Sequence, residues 1–250
     1  MIAWDIIDES YRVAWGDLCY IKENLPETVL TGLVGPLLYL LAFGYGVGGS
    51  MGGGQDYIVF IVPGIIALTT LSATFSSVSM KILVQRLFYM SFDEMLLCPI
   101  HITSVVIGKT VSGIIRATLS CAVIMLVGHL IAPSVVLSPW AFLLVVFASF
   151  TFSLLGLLAG MAVQKTNTLS LISSMVIVPM TFLCGTLFNV SALPAWAAAA
   201  TYCLPLTHVS QLMRSVMLGT AFPLDSLMML FAYAAAFFAL CWWMIKTSRC

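Results

Sequence analysis

Three stretches of this chain carry no Asp, Glu, Lys or Arg: residues 57–80, 117–164 and 166–213. A helix rises about 1.5 Å per residue and a bilayer core is roughly 30 Å thick, so about 20 apolar residues make one crossing. The two longer stretches must each hold more than one element, and Pro133, Ser134, Ser138 and Pro139 place a tight turn inside the first. The pattern predicts six spans, over residues 28–47, 57–80, 105–131, 138–163, 169–188 and 226–245. The glycine run at 48–54 (GGSMGGG) supplies a flexible connection after the first span. No Lys-Ser/Thr follows it, so it does not read as a phosphate loop.

Two further segments read as helices that do not cross. Over residues 4–25, Trp4, Ile7, Tyr11, Ala14, Trp15, Leu18, Ile21 and Leu25 share one face, while Asp5, Asp8, Glu9, Arg12, Asp17 and Glu23 fall mostly on the other. That pattern describes a helix in the headgroup plane ahead of the first span. Between spans five and six, residues 194–202 and 208–218 form short apolar pieces bracketed by Pro194, Pro205 and Pro223. Each is too short for a bilayer, so a re-entrant pair is predicted within 189–223, set against protein or a wet cavity because its backbone needs partners at that depth.

The connection over 81–104 contains VQRLFYMSFDEMLLCPI. Its middle reads as a short amphipathic helix with Phe88, Phe92, Met95 and Leu96 on one side, Asp93 and Glu94 on the other, and Pro99 as its stop. Standing off the membrane, such a helix would offer an apolar face to a partner.

Composition fixes the class. With 61% hydrophobic and 8% charged residues and a mean hydropathy of +1.09, the chain reads as an all-α integral membrane protein, one transmembrane domain over residues 1–250. Residues 1–27 carry Asp5, Asp8, Glu9, Asp17, Glu23 and Glu27, unlike a secretory signal, so the first span is expected to be retained behind an interfacial helix. Net charge is zero, which gives no footing for nucleic-acid binding. With the amino terminus in the cytoplasm, nine of the ten Lys and Arg residues fall inside and Arg214 alone outside, so both termini are expected to be cytoplasmic. Lys109 and Arg116, placed in the first turns of span three, are expected to snorkel to the interface.

The search for chemistry excludes more than it finds. His101, His129 and His208 lie far apart and the predicted spans hold no Asp or Glu, so neither a nucleophilic triad nor an aspartate pair can be assembled within them. No enzyme site, cofactor site or metal site is expected, and coupling to an ion gradient through a buried carboxylate is disfavoured. The seven scattered cysteines read as small apolar fillers. Polar stripes do stand out: Thr69, Ser72, Ser76 and Ser79 on span two, and Ser170, Ser174, Ile177, Thr181 and Cys184 on span five, ending beside Gly185 and Phe188. Hydroxyls at this spacing suit close helix packing. They equally suit a pathway wall that meets amphipathic cargo without fixed charge, and both hold if the spans meet across a dimer axis.

Four segments, in order on this six-span layout, carry a resemblance: FIVPGIIALTTLSATFSS (60–77), SFDEMLLCPI (91–100), PMTFLCGTLFNVSALPAW (179–196) and LPLTHVSQLMRSVMLG (204–219). Over almost its whole length the chain resembles the type-2 ABC exporter permeases. The loop and the last segment are most similar to the branch of nodulation-type lipo-oligosaccharide exporters, alongside drug and polysaccharide exporters. The resemblance implies a homodimer in the cytoplasmic (inner) membrane that binds two copies of a separate ABC ATPase, which carries ATP and Mg. It implies export of an amphipathic substrate, a lipo-oligosaccharide, lipid-linked glycan or hydrophobic drug, by alternating access. By position, Ser91, Phe92, Asp93, Glu94, Met95 and Leu96 look like the coupling helix that docks on the ATPase, and Thr69, Ser72, Ser76, Ser79, Ser170, Ser174, Thr181 and Phe188 would line the substrate pathway. The family often has Thr-Leu-Glu in this loop; Ser91-Phe92-Asp93-Glu94 departs from it and leaves Asp93 and Glu94 both open as the acidic contact. The competing expectation is a non-transporting membrane subunit that anchors an ATPase for envelope or haem-protein maturation.

Overall fold

The computed structural model describes residues 2–47, 54–133, 138–186 and 201–248. The amino-terminal helix α1 (Ile2–Glu23) is followed by α2 (Leu25–Tyr39), which runs on through a π-helical stretch, Leu40–Val47. Then come α3 (Gly54–Leu87), the short α4 (Ser91–Leu97), α5 (Ile102–Ile131), α6 (Pro139–Ala162), α7 (Thr166–Leu183), α8 (Pro205–Leu218) and α9 (Leu224–Ser248). Six stretches are long and apolar enough to cross a membrane: Leu25–Gly44, Tyr57–Leu87, Ile102–Ile131, Pro139–Ala162, Thr166–Leu183 and Leu224–Thr247. The count and order agree with the hydropathy pattern. One boundary moves: α3 continues to Leu87, so Lys81 and Arg86 lie on a helix and not in the 81–104 connection. Both cations are accommodated there, Lys81 by Asp17 and Arg86 by the Met161 carbonyl.

Helix α3 is the axis of the bundle and packs most extensively on α6 and α5. Its Ile61, Ile65, Ile66, Leu71, Phe75, Ile82 and Leu83 are buried, as expected of a span surrounded by other helices. The α3–α6 seam is close because α6 carries Gly156 and Gly160, a G-x-x-x-G pair on one helix face. A methyl group at Gly156 would stand 3.0 Å from the Phe75 carbonyl oxygen, and one at Gly160 2.6 Å from that of Ser79. Backbone against backbone at this range leaves no room for a side chain.

The amino-terminal helix does not present the face that its periodicity suggests. Helix α1 packs along α5 through Ser10, Ala14, Asp17 and Ile21, while Ile7, Tyr11 and Trp15 remain exposed. Asp17, assigned by pattern to the polar side, is buried, because two lysines of the bundle reach it. Helix α8 has 14 residues, about 21 Å, which is short of a bilayer core. It is nonetheless buried along most of its length against α3, α9 and α6. The partner piece predicted over 194–202 lies outside the described residues up to residue 200.

Candidate functional site

A groove of about 900 Å³ opens between α1, α2, α3 and α5. From α3 come Ser72, Ala73, Ser76, Ser77, Met80, Lys81 and Gln85, which repeat at helical spacing on the side turned away from α6. The facing wall, on α2, carries Thr28 and Thr31 and is otherwise low. Gly32, Gly35 and Pro36 border the cavity, and a methyl group built on Gly35 would meet nothing within 4 Å. Pro36 also removes one N–H from the helical ladder, and the π-helical stretch begins four residues later. The Ser72 hydroxyl donates to the Thr69 carbonyl at 3.3 Å and that of Ser77 to the Thr74 carbonyl at 3.1 Å. Their donors are thus satisfied within α3, and their lone pairs face the groove.

One end of the groove is ionic. Asp17 Oδ1 lies 3.0 Å from Lys81 Nζ, and its Oδ2 lies 3.9 Å from Lys109 Nζ. Lys109 is 7% exposed. It does not snorkel, as its place near the start of a span suggested: α5 begins at Ile102, α1 covers that end, and a carboxylate is nearer than water. Arg116 lies a further two turns along α5 and donates from Nη2 to Thr31 Oγ1 at 3.3 Å. Two lysines share one carboxylate, and Arg116 has no acidic partner among the described residues.

The hydroxyl residues predicted to form a pathway separate into groups. Ser72 and Ser76 border the groove. Thr69, Ser79 and Thr181 are buried, and their hydroxyls donate to Ile65, Ser76 and Ile177 carbonyls at 2.8, 3.4 and 2.7 Å. Ser170 and Ser174 are exposed on α7, away from the groove, beside exposed Leu171 and Met175. Phe188 lies outside the described residues. Asp17, Lys81, Gln85 and Arg116 were missed as site residues. Lys81 and Arg116 were visible as charges beside apolar runs, but Lys81 entered only the inside-outside count and Arg116 that count and the snorkelling expectation.

The short helix α4 forms where the amphipathic pattern placed it, but its apolar side is already covered. Phe92 is 1% exposed and packs with Val78, Ile82, Val105 and Leu157, and Met95 and Leu96 rest on the same cluster. What faces outward is different: Ser91 and Glu94, with Phe88 68%, Tyr89 72% and Leu97 87% exposed. Met90, which precedes the helix, has φ 54°, a left-handed conformation that turns the chain sharply after α3. Of Asp93, only its position in the helix is described.

Immediately after α4 the chain is clamped to α1. Glu9 Oε2 accepts from the His101 backbone N–H at 3.0 Å and from Ser104 Oγ at 2.7 Å, while His101 Nδ1 lies 3.2 Å away. His101 is the cap residue of α5, so Glu9 supplies from another helix the acceptor that an N-terminus lacks. The Ser104 hydroxyl first, and the His101 amide next, hold the Glu9 carboxyl below its ordinary value of 4.5.

At the opposite end of the bundle, Arg214 of α8 turns inward. Its Nη2 donates to the carbonyls of Gly185 and Thr186 at 2.5 and 3.2 Å, closing the carboxyl end of α7, and its guanidinium stands 3.9 Å over the Phe60 ring. His208 is buried with Nε2 3.0 Å from the Tyr202 carbonyl oxygen, a structural hydrogen bond.

Comparison with known proteins places this architecture. Residues 13–218 match the family model described as ABC-2 type transporter. The inner membrane transport permease YadH of Escherichia coli (strain K12) is 26% identical over 229 residues, covering 89% of each chain. Nodulation protein J of Neorhizobium galegae is 25% identical over 230 residues, 89% of this chain and 84% of that one, and its counterpart in Rhizobium meliloti (strain 1021) is 26% identical over 224 residues, 87% and 82%. With a match across most of its length and six apolar helices in the expected order, the chain belongs to the ABC-2 type transporter family, as its transmembrane subunit.

Proposed function

We propose that this chain is the permease half of an ATP-driven exporter in the cytoplasmic (inner) membrane. Two copies would pair, each with an ABC ATPase that brings ATP and Mg, and both termini would lie in the cytoplasm. The names of its relatives, a transport permease and a nodulation protein, support the assignment. The observation that carries it is the groove. A non-transporting anchor has no use for about 900 Å³ of hydroxyl-bordered space kept open by Gly35 and Pro36.

In this reading an amphipathic molecule enters the groove beside Ser72 and Ser76. Closure of the ATPase pair pushes on α4, and the protein passes between inward- and outward-open states, with cargo acting through its different affinity for each. The ATPase would contact Ser91, Glu94 and the exposed Phe88, Tyr89 and Leu97, while Phe92, Met95 and Leu96 carry the push into the spans. The α1 face bearing Tyr11 and Trp15 would lie at the headgroup plane.

The deciding experiment is purification of the tagged chain in mild detergent, with the mass and identity of what accompanies it. A complex of two permeases and two ATPases is expected. A chain that remains alone after crosslinking in cells would refute the proposal. Glu94→Lys should detach or uncouple the ATPase, and wild-type coupled turnover in that variant would remove Glu94 from the docking surface.

A further inference from the structure

The groove is not charge-free, and its charge narrows what it can hold. Lys81 and Arg116 border it, Lys109 is buried behind Asp17, and Asp17 is the one carboxylate among its described bordering residues. Lys81 is paired with Asp17, so one bordering positive charge, that of Arg116, stands there without an acidic partner among the described residues. A guanidinium has five N–H donors. Arg116 spends one on Thr31, its single protein partner among the described residues. Gln85, on the same wall, has a buried Oε1 without a hydrogen-bond partner among the described residues, an acceptor suited to a hydroxyl. Beside its hydroxyl residues the wall has an apolar part, Gly35, Pro36, Ala73 and Met80.

We infer that the groove binds an amphiphile whose head carries a phosphate-type oxyanion, held by Lys81 and Arg116. Gln85 accepts from a hydroxyl on the same head, and the chain lies along the glycine wall. Arginine suits this task because its planar fork matches two oxygens of one phosphate, and the compact ammonium of Lys81 supplies the second contact. Asp17 then has a second role: it holds Lys81 and Lys109 in place beside the head. The inference rests on the groove being the cargo site, and it replaces the expectation of a pathway without fixed charge.

The test uses the full chain in micelles of an uncharged polyoxyethylene detergent, which carries no phosphate, titrated with a fluorescent dodecyl probe bearing either a phosphomonoester or a glucosyl head. The phosphate form should bind about tenfold more tightly, and its affinity should fall with added salt. Arg116→Gln and Lys81→Gln should each weaken the phosphate probe about tenfold and leave the glucosyl probe within about twofold, with partial recovery in Arg116→Lys. Retained glucosyl binding shows that each variant is folded. Equal affinity for the two heads, or equal loss in both variants, would overturn the inference while leaving the groove as the cargo site. Inorganic phosphate that competes as well as the chain-bearing probe would overturn the amphiphile. Undiminished binding of both probes by Ser72→Trp would remove the groove itself as the cargo site.

Discussion

One polar stripe of helix α3 has two fates along its length. Toward α6 the helix presents backbone and small groups to Gly156 and Gly160, and Ser79 is sealed in that dry seam. Toward α2 it presents Ser72 and Ser76 to open space. The residue types are the same, but the neighbours differ. Glycine on the facing helix closes the seam when it lets two backbones touch, as at Gly160, and opens a groove when nothing fills the space it leaves, as at Gly35. A hydroxyl in a membrane helix is therefore sealed in a seam or left bordering a groove by the helix opposite it.

The comparison can be broken most forcefully at its ionic end. Asp17→Ala strands Lys81 and Lys109 and should cost about 3 kcal/mol of stability, with much of it recovered by adding Lys109→Met. Reversible unfolding in mixed detergent would measure both, and an unchanged midpoint in the single variant would show that the three groups are not coupled. In the seam, Gly160→Val drives a side chain into the Ser79 carbonyl and should cost about 2 kcal/mol, whereas Gly35→Val, facing the groove, should cost well under half of that.

A subtler effect is expected at the clamp. Glu9→Gln should raise amide exchange at His101 and Val105 and lower ATPase stimulation by cargo without unfolding the chain. In the wild type, the low carboxyl value means that the clamp is in place above pH 4.5 and is lost as pH falls below it, so exchange corrected for its intrinsic pH dependence should rise only there. The smallest change in stability, within about 0.5 kcal/mol, is expected for Ser72→Trp. That substitution should nevertheless abolish transport, and unimpaired export would sink the groove as the pathway.

The spans were legible because charge is absent from them, and α4 was legible because Phe92, Met95 and Leu96 share a side bounded by Pro99. What covers that side was not legible. The pattern of α4 describes an apolar face without saying that Val78, Ile82 and Val105 already occupy it. The site was half legible. Ser72 and Ser76 stood in a visible stripe, but periodicity could not separate them from Thr69 and Ser79, which lie on the same side of a helical wheel and are enclosed by other helices. Asp17 was hidden for another reason. On its own helix it belongs to the polar set, and only packing of α1 along α5 brings it to Lys109.

The placement of α1 has one more consequence. Glu9 holds the cap of α5 beside α4, and Asp17, about two turns further along the same helix, holds the lysines at the groove. Under the proposed function, a stiff rod pinned at both points would make the two sites a linked pair, and linkage is symmetric. By whatever factor a cargo in the groove strengthened docking of an ATPase at α4, docking would strengthen the hold on cargo by that same factor. The free energy of this exchange can be read from either end, by titrating cargo with and without the ATPase or the ATPase with and without cargo.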